Sequence, residues 1–146
     1  MNGTGIVSRW RSWSPQLLSI LRIVLAFLFI QVGSAKWFAF PAAVMPGGGT
    51  APFGTLPWWA GVIEVIGGTL ILFGLFTRPV AFILSGEMAF AYFLGHAPNN
   101  FWPVLNQGGL AVIYCFLFLY ISSAGPGPWS LDALLARRRS TAIPVS

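Results

Sequence analysis

The sequence predicts an all-α integral membrane protein: a four-helix bundle with a short interfacial helix near its C-terminus. Three observations point there. Hydrophobic residues make up 56% of the 146 positions and charged residues only 8%, against about 25% charged in a soluble domain. The apolar residues fall into four runs, each near the roughly 20 residues that a spanning helix needs. Lys and Arg collect at alternate connections, as they do in multi-pass proteins. The chain reads as a single domain over 1–146, with spans at roughly 15–37, 57–77, 79–95 and 104–123 and an interfacial tail at 128–139.

Composition also excludes classes. The net charge of +5 would suit nucleic acid, but three of the eight basic residues form one run, Arg137 to Arg139. On so apolar a chain they are expected to face a bilayer with anionic headgroups, with no nucleic-acid partner. One cysteine, Cys115, excludes an intramolecular disulfide and any Cys-x-x-C chemistry. His96 is the single histidine and has no second His or Cys near it, so no metal site is expected. Nothing in the chain suggests a covalently bound cofactor.

Residues 1–14 place Arg9 and Arg11 among tryptophans, an interfacial collar. Arg9, Arg11 and the Gly33-Ser34-Ala35 triplet imitate a cleaved signal peptide. Arg22 interrupts the would-be apolar core, however, and nothing downstream reads as a soluble mature protein, so retention is expected. In this first span Ser19, Arg22, Ala26, Phe29, Gly33 and Lys36 follow helical spacing and share one face. An unpaired Arg22 inside a bilayer would cost on the order of 3 kcal/mol, so that face should look into the bundle. Gln31 falls about half a turn away. Lys36 has a plainer reading, in which it snorkels to the headgroups.

Residues 38–57 hold Pro41, Pro46, Pro52 and Pro57, a Gly47-Gly48-Gly49 run and no charge, which makes an aperiodic loop. The second span carries Glu64. The positions stacked around it on a helix are Ala60, Gly61, Gly67 and Gly68, all small. Small residues admit a neighbouring helix closely, so Glu64 should face protein. It then serves either as a structural ion pair or as a functional site. Thr77-Arg78-Pro79 turns the chain into a third span bearing Glu87, followed by the loop from Gly95 to Pro103 that contains His96. The fourth span opens with Asn106-Gln107-Gly108-Gly109. In the tail, Ser130 can cap a short helix whose Leu131, Leu134 and Leu135 share one side.

Arginines at both ends and at the second connection place both termini in the cytoplasm. Counting depth at 1.5 Å per residue puts Arg22 and Glu87 each roughly 10 Å from the cytoplasmic ends of their helices. They are therefore expected to form a structural ion pair. Glu64 falls at the other level, with Lys36, His96, Asn106 and Gln107 as candidate ligand-binding residues.

In order and spacing, Leu21-Arg22, Gly33-x-x-Lys36, Ala60-Gly61-x-x-Glu64-x-x-Gly67-Gly68, Gly74-Leu-Phe-Thr77-Arg78-Pro79, Phe101-Trp102-Pro103-x-x-Asn106 and Gly125-x-Gly-Pro-Trp129-Ser130-Leu-Asp132 resemble the DoxX family of small four-span bacterial membrane proteins. The match covers about residues 17–135. Gly109 stands where the family often has a glutamate, which leaves Glu64 as the carboxylate of that level. The resemblance implies an inner-membrane protein and supports a small subunit that passes electrons to quinone with a redox partner protein. Two alternatives stand beside it: a non-enzymatic anchor or assembly protein, and a proton-coupled carrier of a small solute.

Overall fold

The computed structural model describes residues 4–141, and every element among them is helical. Helix α1 covers Thr4–Phe38 and α2 covers Leu56–Phe73. Helix α3, Thr77–Phe90, runs on through a π-helical turn at Ala91–His96. A single turn α4 (Pro103–Asn106), then α5 (Gly109–Ala124) and α6 (Leu131–Thr141), complete the chain.

Helix α1 packs along α2 and α3 along α5, and the α2–α3 hairpin joins the two pairs. Leu25, Ala26 and Phe29 of α1, Ile71 of α2, Leu84 and Met88 of α3, and Tyr114 and Phe118 of α5 share one core. Phe29 sits edge-on to Phe118 with ring centres 4.8 Å apart, tying α1 to α5. The stripe read from the first span holds: Ser19, Arg22, Ala26, Phe29 and Gly33 are all buried.

The outside of the molecule is apolar. Phe27, Phe82, Phe90 and Phe116 are 58–69% exposed, while Arg22, Glu64 and Thr77 are 0% exposed. A water-soluble domain sorts its side chains the other way. Apolar patches on this scale mark a surface meant for lipid or partners. Segments Trp10–Phe38 and Leu56–Phe73 are long and apolar enough to cross a membrane.

Three element bounds differ from the sequence reading. Helix α1 begins well before Pro15, because no glycine or proline between Ile6 and Ser14 stops a helix there. Residues 1–3 of the expected collar, and the Arg9 side chain, lie outside the described part. Helix α3 starts at Thr77, with Pro79 in its first turn, where a missing N–H costs nothing. The fourth run is split. Gln107 adopts a left-handed conformation (φ 60°), and the Asn106 side-chain oxygen accepts the Gly108 N–H at 2.7 Å, closing a turn between α4 and α5.

Candidate functional site

The buried charges sit in two places, one at each end of the bundle. At the α2–α3 turn, Arg22 is enclosed by main-chain oxygens. Its Nη1 donates to the Ile71 and Leu72 carbonyls, Nε to Pro126 O at 2.8 Å and Nη2 to Trp129 O at 2.5 Å. The last carbonyls of a helix lack partners within it and favour a cation, so Arg22 caps α2 from the side. Gly74 ends that helix in a left-handed conformation (φ 67°), with the paired Gly74 and Leu75 bonds of a Schellman turn. A Cβ there would come within 2.4 Å of Ser130 Cβ.

The tail segment from Gly125 to Asp132 latches onto this end. Ser19 Oγ accepts the Trp129 N–H at 3.2 Å, and Ser130 Oγ accepts Ala133 N–H at 3.1 Å, capping α6 as its sequence suggests. Asp132 reaches across to α3. Its two carboxylate oxygens accept the Phe76 and Thr77 N–H groups, each at 2.9 Å, capping that helix in trans. Arg78 in turn donates to the Ser122 and Ser123 carbonyls at the end of α5.

The expected Arg22–Glu87 ion pair is therefore corrected. Arg22 is bound to main-chain oxygens, and Glu87 Oε2 is buried without a hydrogen bond. The reason lies in the hairpin. Glu64 and Glu87 are equidistant along the chain from the Leu75–Phe76 turn, so antiparallel pairing of α2 with α3 brings them to one level. Counting each depth from the end of its own span hid this symmetry.

At the opposite end, Lys36 Nζ donates to Glu64 Oε1 at 2.6 Å. The Lys36 side chain keeps 16% exposure while that of Glu64 has none. The small residues around Glu64 act as expected. A Cβ on Gly61 would meet Trp37 at 2.9 Å, one on Gly68 would meet Ile30 at 2.7 Å, and one on Gly67 would meet Leu84 at 2.6 Å. Helices α1 and α3 thus close on Glu64 from both sides, and Gly33 lies against its stem. Glu64 Oε2 and Glu87 Oε2 are buried and make no hydrogen bond.

His96 and Asn106 form a separate cluster. His96 Nδ1 donates to the Asn106 carbonyl at 3.0 Å, since a carbonyl can only accept. The Asn106 amide donates to Asn100 O at 2.6 Å, and Tyr92 OH donates to Phe101 O. These bonds are local and shape the α3–α5 connection. None links His96 or Asn106 to Lys36 or Glu64, and Gln107 is exposed. A Cβ at Gly109 would meet no atom within 4 Å. The structure thus brings together Lys36 and Glu64. Glu87, which sequence reasoning paired with Arg22, stands on α3 as far from the hairpin turn as Glu64 does on α2.

Comparison with known proteins places the chain among bacterial membrane proteins. An uncharacterized protein of Haemophilus influenzae is 47% identical over 123 residues, covering 82% of this chain and 91% of that one. The inner membrane proteins YqjF and YphA of Escherichia coli are 34% and 31% identical; each alignment covers about four-fifths of this chain, and 92% and 89% of the relative. No solved structure matches the chain. Residues 17–97 match the DoxX family, and with relatives this similar along most of its length, the chain belongs to that family.

Proposed function

We propose that this chain is a four-span inner-membrane protein with cytoplasmic termini, acting as a small membrane subunit of a quinone-linked oxidoreductase. Its apolar exterior and the names of its Escherichia coli relatives support the inner membrane. Four passes are supported by continuity. Helix α3 and the π-helical turn run as one rod from Thr77 to His96, about 30 Å at 1.5 Å per residue, and α4 with α5 returns. Arg11, Arg78 and the Arg137–Arg139 run belong to the end where the tail latches, beside anionic headgroups, while residues 39–55 at the other end hold no Lys or Arg. Reporter fusions at both termini and at Gly48 test the topology. The termini are expected in the cytoplasm and Gly48 outside, and a cytoplasmic Gly48 would break the four-span reading.

The observation that carries the quinone reading is the incomplete hydrogen bonding of Lys36. An ammonium has three N–H groups, one of which goes to Glu64. The side chain is partly open, and the buried Glu64 Oε2 beside it has no partner. A quinone carbonyl is an acceptor of the kind these donors fit. Lys36 would hold the carbonyl, and Glu64 would fix the ammonium in place. A bound quinone supplies two-electron chemistry, with electrons delivered by a redox partner protein. The test is quantification of quinone retained by protein extracted in native lipid discs. Near-stoichiometric quinone in wild type and its loss in Lys36→Met are expected. Wild-type protein free of quinone would overturn this reading.

A further inference from the structure

His96 and Asn106 take no part in the Lys36–Glu64 pair, and what they bind instead is main chain. The α3–α5 connection, residues 97–108, is irregular apart from the single turn α4. Asn106 serves it from within. Its amide donates to Asn100 O at 2.6 Å, its side-chain oxygen accepts the Gly108 N–H at 2.7 Å, and its own N–H reaches Trp102 O at 3.1 Å. Asn100 Oδ1 accepts the Trp102 N–H at 2.9 Å, Tyr92 OH donates to Phe101 O, and His96 Nδ1 donates to Asn106 O. A connection standing in water can leave such groups to the solvent. In an apolar medium each unpaired main-chain group is costly, so internal partners become necessary.

The outward side chains of the same segment are apolar. Phe101, Trp102 and Leu105 are exposed, Val104 is 92% exposed, and residues 97–108 hold no charge. Helix length says what covers them. Helix α5, Gly109–Ala124, rises about 24 Å, against about 30 Å for the hydrocarbon core of a bilayer. Arg78 donates to the Ser122 and Ser123 carbonyls, which holds the inner end of α5 at the headgroups. The remaining distance, about 6 Å, therefore falls at the outer end, where the connection stands.

We infer that the α3–α5 connection is sunk into the outer leaflet, with Phe101, Trp102, Val104 and Leu105 against lipid acyl chains. Asn106 and His96 hold its main chain from within. The partner of this surface is lipid, and the inference rests on the four-span reading. It also gives the single histidine a structural task at the membrane boundary.

Spin labels attached through Val104→Cys and Leu105→Cys test this in lipid vesicles, with Phe116→Cys as a mid-span reference on α5 and Cys115→Ala as the background. Collisions with dissolved oxygen, which concentrates in lipid, and with a water-soluble nickel chelate are read at each position. Labels at Val104 and Leu105 should collide several-fold more with oxygen than with the chelate, as the label at Phe116 does. Chelate access at Val104 and Leu105 with Phe116 still shielded overturns the inference and leaves four spans standing. Chelate access at Phe116 as well removes the four-span reading itself, and the inference with it. Shielding of Val104 and Leu105 from both reagents means that protein covers the surface, a partner or a second copy, and overturns the inference too. Phe101→Cys supplies a further position should either of the first two variants fail to fold.

Discussion

The two ends of the bundle bury charge in opposite ways. At the α2–α3 turn, Arg22 and Asp132 meet main chain: four hydrogen bonds from Arg22 to carbonyls, and two to Asp132 from the N–H groups of α3. At the other end, Lys36 meets Glu64 side chain to side chain, and two carboxyl oxygens have no partner. Main-chain partners cannot leave or change protonation, so charges held by them fix the positions of helix ends. Side-chain partners with spare valences can exchange a proton or accept a ligand. Burial alone does not separate the two cases, because Arg22 and Glu64 are both 0% exposed. What each charge is bound to does.

The largest effect should come from the first end. Arg22→Met removes the donors of several carbonyls at once, and buried unsatisfied groups cost about 1–3 kcal/mol each. A loss of roughly 3–5 kcal/mol is expected, seen as a sharp fall in thermal stability of the detergent-solubilised protein. In a double-mutant cycle, Arg22→Met and Glu87→Gln should add without coupling, since they lie at different ends. Measured coupling between them would restore the discarded ion pair and blur the contrast between the ends.

A smaller loss is expected for Asp132→Ala, about 1–2 kcal/mol, the usual scale for a helix cap. The variant should also loosen the tail, because Asp132 N–H bonds Gly74 O at 2.9 Å and its carboxylate caps α3. Hydrogen exchange at Phe76 and Thr77 reads this directly. Unchanged protection there would mean that α6 is held by lipid contact alone and that the latch is incidental.

Much of this was legible in the sequence. Helical spacing found the buried stripe of α1, and the small residues around Glu64 announced a close neighbouring helix, where the structure packs one on each side. Lys36 and Glu64 were assigned to one level and do meet. Depth along the third span misplaces Glu87, because α3 begins at Thr77 and not at Pro79. The short turn at Leu75–Phe76 was a better ruler, since it fixes the register of α2 against α3 whatever the span limits. The latch was unreadable for a different reason. Arg22 binds carbonyls of Pro126 and Trp129, and a carbonyl is present at every position, so no side-chain pattern encodes it. Only Gly127, where a Cβ would come within 2.3 Å of Ser19 Oγ, left a trace of that contact. His96 and Asn106 were expected beside Glu64 by depth, yet their hydrogen bonds go to the connection that carries them.

The smallest stability effect, and the most telling one, is expected for Glu64→Gln. The amide keeps the shape and can still accept from Lys36 Nζ, so the helices around Gly61, Gly67 and Gly68 need not move. The ammonium loses its counter-ion, but at 16% exposure it can reach toward water along its flexible stem. The net change in stability should stay within about 1 kcal/mol, well below that of Arg22→Met. Quinone retention, in contrast, should fall, because Lys36 is no longer held in place by a carboxylate. The comparison thus turns on two numbers measured for the same variant, a melting temperature and a quinone content. If Glu64→Gln unfolds the protein as readily as Arg22→Met and leaves quinone in place, the Lys36 end is architecture like the other, and the working site must be sought elsewhere on the bundle.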